Sequence, residues 1–244
     1  MKVYLNAISG IDDAIVSMFM SYRTWTRELE LHIYEICQKV LNSDGSLKEY
    51  KESMANEFEE FHNWFGKLLK WGWKHTTMLR FIDFSITVEG LHRAGQDDWD
   101  AHAKRFDNRI IRNSTRTKHS DFQYEVSDFY QDKIIPTDIA AQALCFQLPE
   151  TMTYDGKEYV KAINGYILKG YEDNPDIKRG LYMLSIPSNF IFKINLTEWA
   201  HVYKLRNAGS SANPEVSQCC EMIADLLEQC HKELNRELFE KILN

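Results

Sequence analysis

Hydrophobic and polar residues alternate over residues 2–8, which predicts a short strand ended by Gly10. Residues 12–20 and 26–41 change to helical periodicity, and Asn42-Ser43-Asp44-Gly45-Ser46 is a turn cluster between helices. Over 47–71 the apolar positions Met54, Phe58, Phe61, Phe65 and Leu68 recur at steps of three and four, predicting a long amphipathic helix that Gly72 breaks. Phe81, Ile82, Phe84, Ile86 and Val88 predict a strand over 79–88. Residues 93–105 are charged and read as helical. The polar, Arg-rich stretch 107–120 fits neither period. Further on, 122–130 predicts a strand, 136–148 a helix, Tyr154-Asp155-Gly156 a turn, and 159–170 a helix. Asn174-Pro175 has the form of a helix start, with Asn as cap and Pro in the first turn. A strand over 190–194 leads to Asn195, with Glu198 three residues on, the pattern of a capping box opening a helix to Arg206. Residues 208–211 form a loop, and Asn213-Pro214 opens the last helix. Its stripe of Val216, Cys220, Ile223, Leu227, Cys230, Leu234 and Leu238 places those cysteines in a core.

This mixture predicts an α+β fold, with a small antiparallel or mixed sheet and several long helices, as a single domain over 1–244. Composition changes the picture in three places. The net charge of -7 argues against a protein that coats duplex nucleic acid, because such binding runs on many cationic contacts to phosphate. It leaves room for a small anionic ligand held by a few placed arginines. The five cysteines include no C-x-x-C pair, and their odd number rules out a complete set of disulfides within one chain. A reduced, cytoplasmic compartment is the simple reading, with Cys145 in Leu-Cys-Phe another core residue. Residues 1–10 lack a signal-like apolar run, and no stretch is apolar enough for a membrane span.

Two arginines are candidates for the anion. Arg179 ends a short helix, and Arg206 ends the next helix after an intervening strand. Such a unit brings two guanidinium groups to one pocket, and the planar guanidinium suits phosphate because it donates in parallel pairs. Two surface ion pairs meet the same spacing, so position alone leaves both readings open.

Larger motifs run through the same region. Asn195-Leu196-Thr197, His201, Leu205-Arg206 and Ala212-Asn213-Pro214-Glu215-Val216 resemble the C-terminal signature of the flavin-dependent thymidylate synthases. Arg179 lies sixteen residues before Asn195, where that family has its Ala-Arg. His75-Thr76-Thr77 with Phe84 resembles the family's His-x-Thr/Ser stretch and its Phe. Residues 88–94, from Val88 to Ala94, resemble its Ile/Val-x-Gly-Ile-Ser-Arg-Ala segment, and Asn113-Ser114-Thr115-Arg116 the end of its central motif. The match covers most of 75–120 and 175–235.

The resemblance implies that FAD, reduced by NADPH, and methylenetetrahydrofolate build a methyl group on dUMP, with no cysteine nucleophile. It implies a homotetramer with active sites shared between subunits. It places Arg179, Ser114 and Arg116 on the nucleotide, and Arg206 at the pyrimidine carbonyl as the catalytic charge stabiliser. His75, Thr77, Asn195, His201 and Arg109 fall on the flavin side. Plainer roles stay open for His75 as a structural histidine, Asn195 as a helix cap and His201 as packing.

The chain also departs from the family. Its Arg-His-Arg motif falls on Lys104-Arg105-Phe106, or on Asp107-Asn108-Arg109 if the loop is shortened. Ile111-Arg112 stand for Asn-Glu, Arg80 for a Glu near the flavin, Thr197 for the Arg of Asn-Leu-Arg, and Asn213 for a Gln. These changes leave two alternatives: a relative acting on another pyrimidine nucleotide such as dCMP, by methylation or hydroxymethylation, or a non-catalytic nucleotide-binding relative.

Overall fold

The N-terminal periodicities become one strand and three helices in a computed structural model of the protein, which describes residues 1–100, 109–112, 128, 148–162, 165–170, 172–173, 187–207 and 213–242. Strand β1 (Lys2–Ser9) leads through Gly10 into helix α1 (Ile11–Ser21). Gly10 has φ +77°, and a Cβ there would lie 2.0 Å from the carbonyl oxygen of Phe81, so only glycine fits the junction. Thr26 then caps α2 (Arg27–Val40), its hydroxyl accepting from the Leu29 N–H at 3.1 Å.

The long helix expected from residue 47 starts later. Leu41 bridges to Leu47, and the Lys48 N–H donates to the Val40 carbonyl at 2.8 Å, so the backbone at 47–48 still belongs to the loop. A 3-10 turn (Glu52–Met54) precedes α3 (Ala55–Gly72). Helix α3 buries Phe58, Phe61, Trp64, Phe65, Leu68 and Leu69, the stripe read from the sequence with Trp64 and Leu69 added and without Met54, which precedes the helix and is partly exposed.

The strand expected from residue 79 also starts late. Met78–Phe81 form a 3-10 turn, since the N–H groups of Leu79 and Arg80 donate to the carbonyls of Thr76 and Thr77. Strand β2 (Asp83–His92) follows, with Phe84, Ile86 and Val88 buried and Asp83, Ser85 and Thr87 partly exposed. Then come α4 (Arg93–Asp100) and β3 (Arg109–Arg112). The strand expected over 122–130 and the helix start at Asn174-Pro175 lie outside the described residues apart from Asp128, as does the helix over 136–148 apart from Leu148.

The helix expected over 159–170 is replaced by strands. β4 (Thr151–Tyr154), β5 (Lys157–Ala162) and β6 (Gly165–Leu168) form an antiparallel three-stranded sheet in which Met152 faces Tyr159 and Tyr159 faces Leu168. Asp155 and Gly156, at φ 49° and 69°, make the left-handed two-residue turn that suits a hairpin.

Strand β7 (Pro187–Asn195) runs straight into α5 (Leu196–Arg206), followed by α6 (Pro214–Cys230) and α7 (Arg236–Lys241). The final apolar stripe therefore belongs to two helices. His231 is extended, at φ -142° and ψ 109°, yet Leu234 and Leu238 stay buried beyond it. A second sheet has the order β1-β2-β7-β3.

By its contacts the chain divides into two units: residues 1–2, 89–100 and 112–190, and residues 3–88, 101–111 and 191–244. In the first, the Gly90 N–H donates to Asn189 Oδ1 at 3.0 Å, and Arg112 pairs with Asp97 at 2.8 Å. The second holds helices α1–α3 and α5–α7. Cys37, Cys219 and Cys220 are buried in it as free thiols, and Cys230 is a free thiol at partial exposure; Cys145 lies outside the described residues. No helix among the described residues is long and apolar enough to cross a membrane.

Candidate functional site

Six of the candidate residues are described, and all lie in the second unit: His75, Thr77, Arg109, Asn195, His201 and Arg206. Ser114, Arg116 and Arg179 lie outside the described residues.

Helix α5 carries or holds five of the six, all but Arg109. At its start Asn195 is 3% exposed, and its side-chain oxygen accepts from the Glu198 N–H at 3.0 Å. One residue on, the Leu196 N–H donates to the Ile82 carbonyl at 2.8 Å. Thr197 is buried, and its hydroxyl donates to the Thr76 carbonyl at 3.1 Å. These bonds draw the His75-Thr76-Thr77 turn onto the first turn of α5, uniting two segments 121 positions apart. Thr197 stands where the resemblance expects an arginine, and it acts inside the protein as a tie between the two segments.

The turn itself faces solvent. His75 and Thr77 are exposed, and the His75 ring stacks on Trp71 with centroids 6.4 Å apart and planes at 25°. Arg80, on the following 3-10 turn, is exposed and has no ion-pair partner among the described residues. Ring nitrogens, a hydroxyl and a guanidinium beside an exposed indole fit the phosphates, hydroxyls and rings of a dinucleotide such as FAD. Arg109 is engaged elsewhere: it pairs with Asp83 at 2.9 Å, and Lys193 meets the same carboxylate at 3.2 Å.

His201 sits partly exposed in the middle of α5. Arg206 ends the helix, about 16 Å along the axis from Asn195 at 1.5 Å per residue. The structure thus separates Arg206 from the 75–77 turn by the length of α5. The Arg206 side chain is partly exposed, and its Nε is buried with no hydrogen-bond partner. No carboxylate among the described residues pairs with it.

Neighbouring carboxylates are already engaged. Glu221 of α6 accepts from the Tyr203 hydroxyl at 2.9 Å, from the Asn207 amide and from Arg236 Nε at 2.9 Å. Arg236 also reaches Asp225 and Glu228. Burial, and then the Glu221 carboxylate, push the Tyr203 phenol up to about 12. The sequence reading missed this cluster. The spacing of Glu221, Asp225 and Glu228 along α6 was visible, but their shared partner comes from a different helix.

A cavity of about 310 Å³ between Ser9, Asp12, Cys37 and Asn42 is lined by none of these residues. Burial pushes the Cys37 thiol up to about 12, which keeps it a thiol.

The α+β architecture is that of the flavin-dependent thymidylate synthases. It is similar to Thymidylate Synthase X (ThyX) from Helicobacter pylori with FAD and dUMP, at a TM-score of 0.54 and 13% identity over 98% of this chain and 100% of that one. A second structure, flavin-dependent thymidylate synthase ThyX from Helicobacter pylori complexed with FAD and dUMP, gives 0.53 and 14% over the full length of both chains. No curated protein matches the sequence. The family model for thymidylate synthase complementing protein matches residues 19–231, and the chain belongs to that family.

Proposed function

We propose that this protein methylates dUMP to dTMP, using FAD, NADPH and methylenetetrahydrofolate, as a homotetramer with shared active sites. The observation that carries the reading is Arg206, whose buried Nε has no hydrogen-bond partner among the described residues, while Glu221, bonded by Tyr203 and Asn207 at the same helix end, is taken by other groups. A guanidinium that keeps a donor buried and unsatisfied costs stability, which a bound oxygen would return. In the reading proposed, Arg206 donates to the pyrimidine carbonyl and stabilises negative charge there as the ring is attacked. Asn195 caps α5, Thr197 holds the 75–77 turn in place, and His75, Thr77 and Arg80 bind the flavin's polar groups. Bound FAD supplies the hydride that completes the methyl group. Ser114, Arg116 and Arg179 are proposed as further nucleotide ligands.

The test is to purify the protein and assay it for bound flavin by absorbance near about 450 nm, then to titrate dUMP calorimetrically. The native protein is expected to bind both, and Arg206→Ala to lose dUMP by about a hundredfold while unfolding as the native protein does. Native affinity in Arg206→Ala defeats the site assignment. Parallel titration with dCMP reads out the substrate: preference for dCMP replaces dUMP in the proposal.

A further inference from the structure

The inference rests on Arg206 as the nucleotide's grip and concerns why that grip stays open. Arg206 has acidic company. Tyr203 and Asn207, which flank Arg206 at the end of α5, both bond Glu221, so that carboxylate faces the helix end that carries Arg206; burial raises the nearby Cys220 thiol, with Glu221 adding to the rise and Arg206 opposing it. Opposite charges brought within reach of each other attract.

Here the two do not pair, and the bonding of Glu221 gives the reason. One oxygen accepts from Tyr203 at 2.9 Å and from Asn207, and the other accepts from Arg236 Nε at 2.9 Å. Asn207 is the residue after Arg206, and its own side-chain oxygen accepts from the Ser217 hydroxyl at 3.1 Å. Arg236 is the only cation in this set. Its remaining nitrogens meet Glu228 at 3.1 Å and Asp225, so it serves three carboxylates along one face of α6. The guanidinium fork is suited to such multiple engagement.

We propose that Arg236 is a positioning residue for the nucleotide site: by occupying Glu221 it prevents an internal Arg206–Glu221 ion pair and leaves Arg206 open to an anionic nucleotide. Without Arg236, one Glu221 oxygen loses its charged partner, and Arg206, at the helix end that faces Glu221, has no carboxylate partner among the described residues. The ligand then has to break an ion pair before it binds.

The experiment measures dUMP affinity by calorimetry in full-length Arg236→Gln, Glu221→Gln, the double variant Arg236→Gln/Glu221→Gln, and Arg206→Ala, with thermal unfolding of each. Arg236→Gln is expected to weaken dUMP about tenfold, and the double variant to return to within about threefold of native. Glu221→Gln alone is expected to bind at least as tightly as native. The double variant lacks both members of the anchoring pair, so a purely structural role for Arg236 predicts no recovery. If Arg236→Gln does not fold, the conservative Arg236→Lys replaces it, with Arg236→Lys/Glu221→Gln as its rescue. Native affinity in the single variant, or no recovery in the double, overturns the proposal. Native affinity in Arg206→Ala instead overturns the nucleotide reading beneath it, so the two failures are distinct.

Discussion

Thr197 illustrates how one substitution relocates a job. At the position where the resemblance expects an arginine, the buried threonine bonds the Thr76 carbonyl. That carbonyl also accepts from the Leu79 N–H at 3.1 Å, so removing the hydroxyl leaves it with one donor. Thr197→Val, close in size, is expected to cost about 1 kcal/mol in urea unfolding. It is also expected to weaken FAD binding in a flavin-fluorescence titration, because the 75–77 turn loses its tie. Unchanged FAD affinity would show that the tie serves stability alone. The cap at Asn195 was legible in the sequence because its partner lies three residues away. The bond from Thr197 was not, because its partner is 121 positions distant. Nor could sequence reveal that Arg206 has no carboxylate partner among the described residues, since that depends on how Tyr203, Asn207 and Arg236 share Glu221.

At the scale of elements, junctions carry the constraints. Gly10 joins β1 to α1 against the Phe81 carbonyl, beside the turn that holds His75 and Thr77. Gly10→Ala forces a methyl group into that oxygen and an L side chain into left-handed backbone. The expected loss is roughly 3 kcal/mol or more, read from the denaturant midpoint; a loss of less than about 1 kcal/mol would mean that the junction shifts freely. Most helices and the strands β1 and β7 followed the hydrophobic period. The errors came where two periods coexist. Tyr159, Val160, Tyr166 and Ile167 fit a helical stripe when counted alone, yet they flank strand reversals. Asp155-Gly156, a hairpin signal, stood directly before them. The late start of α3 had a different cause, because the Leu41–Leu47 bridge closes the 42–46 turn and keeps residues 47–48 in the loop although their pattern reads as helical.

In the helical unit as a whole, His231 ties the C-terminal part of the chain to its N-terminal part. It is fully buried among Phe61 and Phe65, and its Nε2–H donates to the Gly45 carbonyl at 2.7 Å. Burial lowers its pKa below the ordinary 6.5, with the Gly45 bond and Glu233 opposing and His62 adding to the fall. The unfolded chain therefore binds this proton more readily. Stability from the neutral buried ring is complete above about 6.5 and is lost as pH falls through that value toward the lower folded pKa. The melting temperature is expected to drop between about pH 7 and 5.5, and His231→Phe to flatten that slope while lowering stability overall. Equal slopes in the two proteins would assign the acid sensitivity to other groups.

The His231–Gly45 bond spans 186 positions, and this has a consequence for biosynthesis. A ribosome makes the Gly45 loop long before the imidazole that anchors it. Until His231 emerges, the aromatic face of Phe61 and Phe65 has no lid from it, and apolar surface left open in a nascent chain is what chaperones recognise. Synthesis of the segment after α6, rather than of any early helix, thus sets the moment at which this aromatic cluster closes.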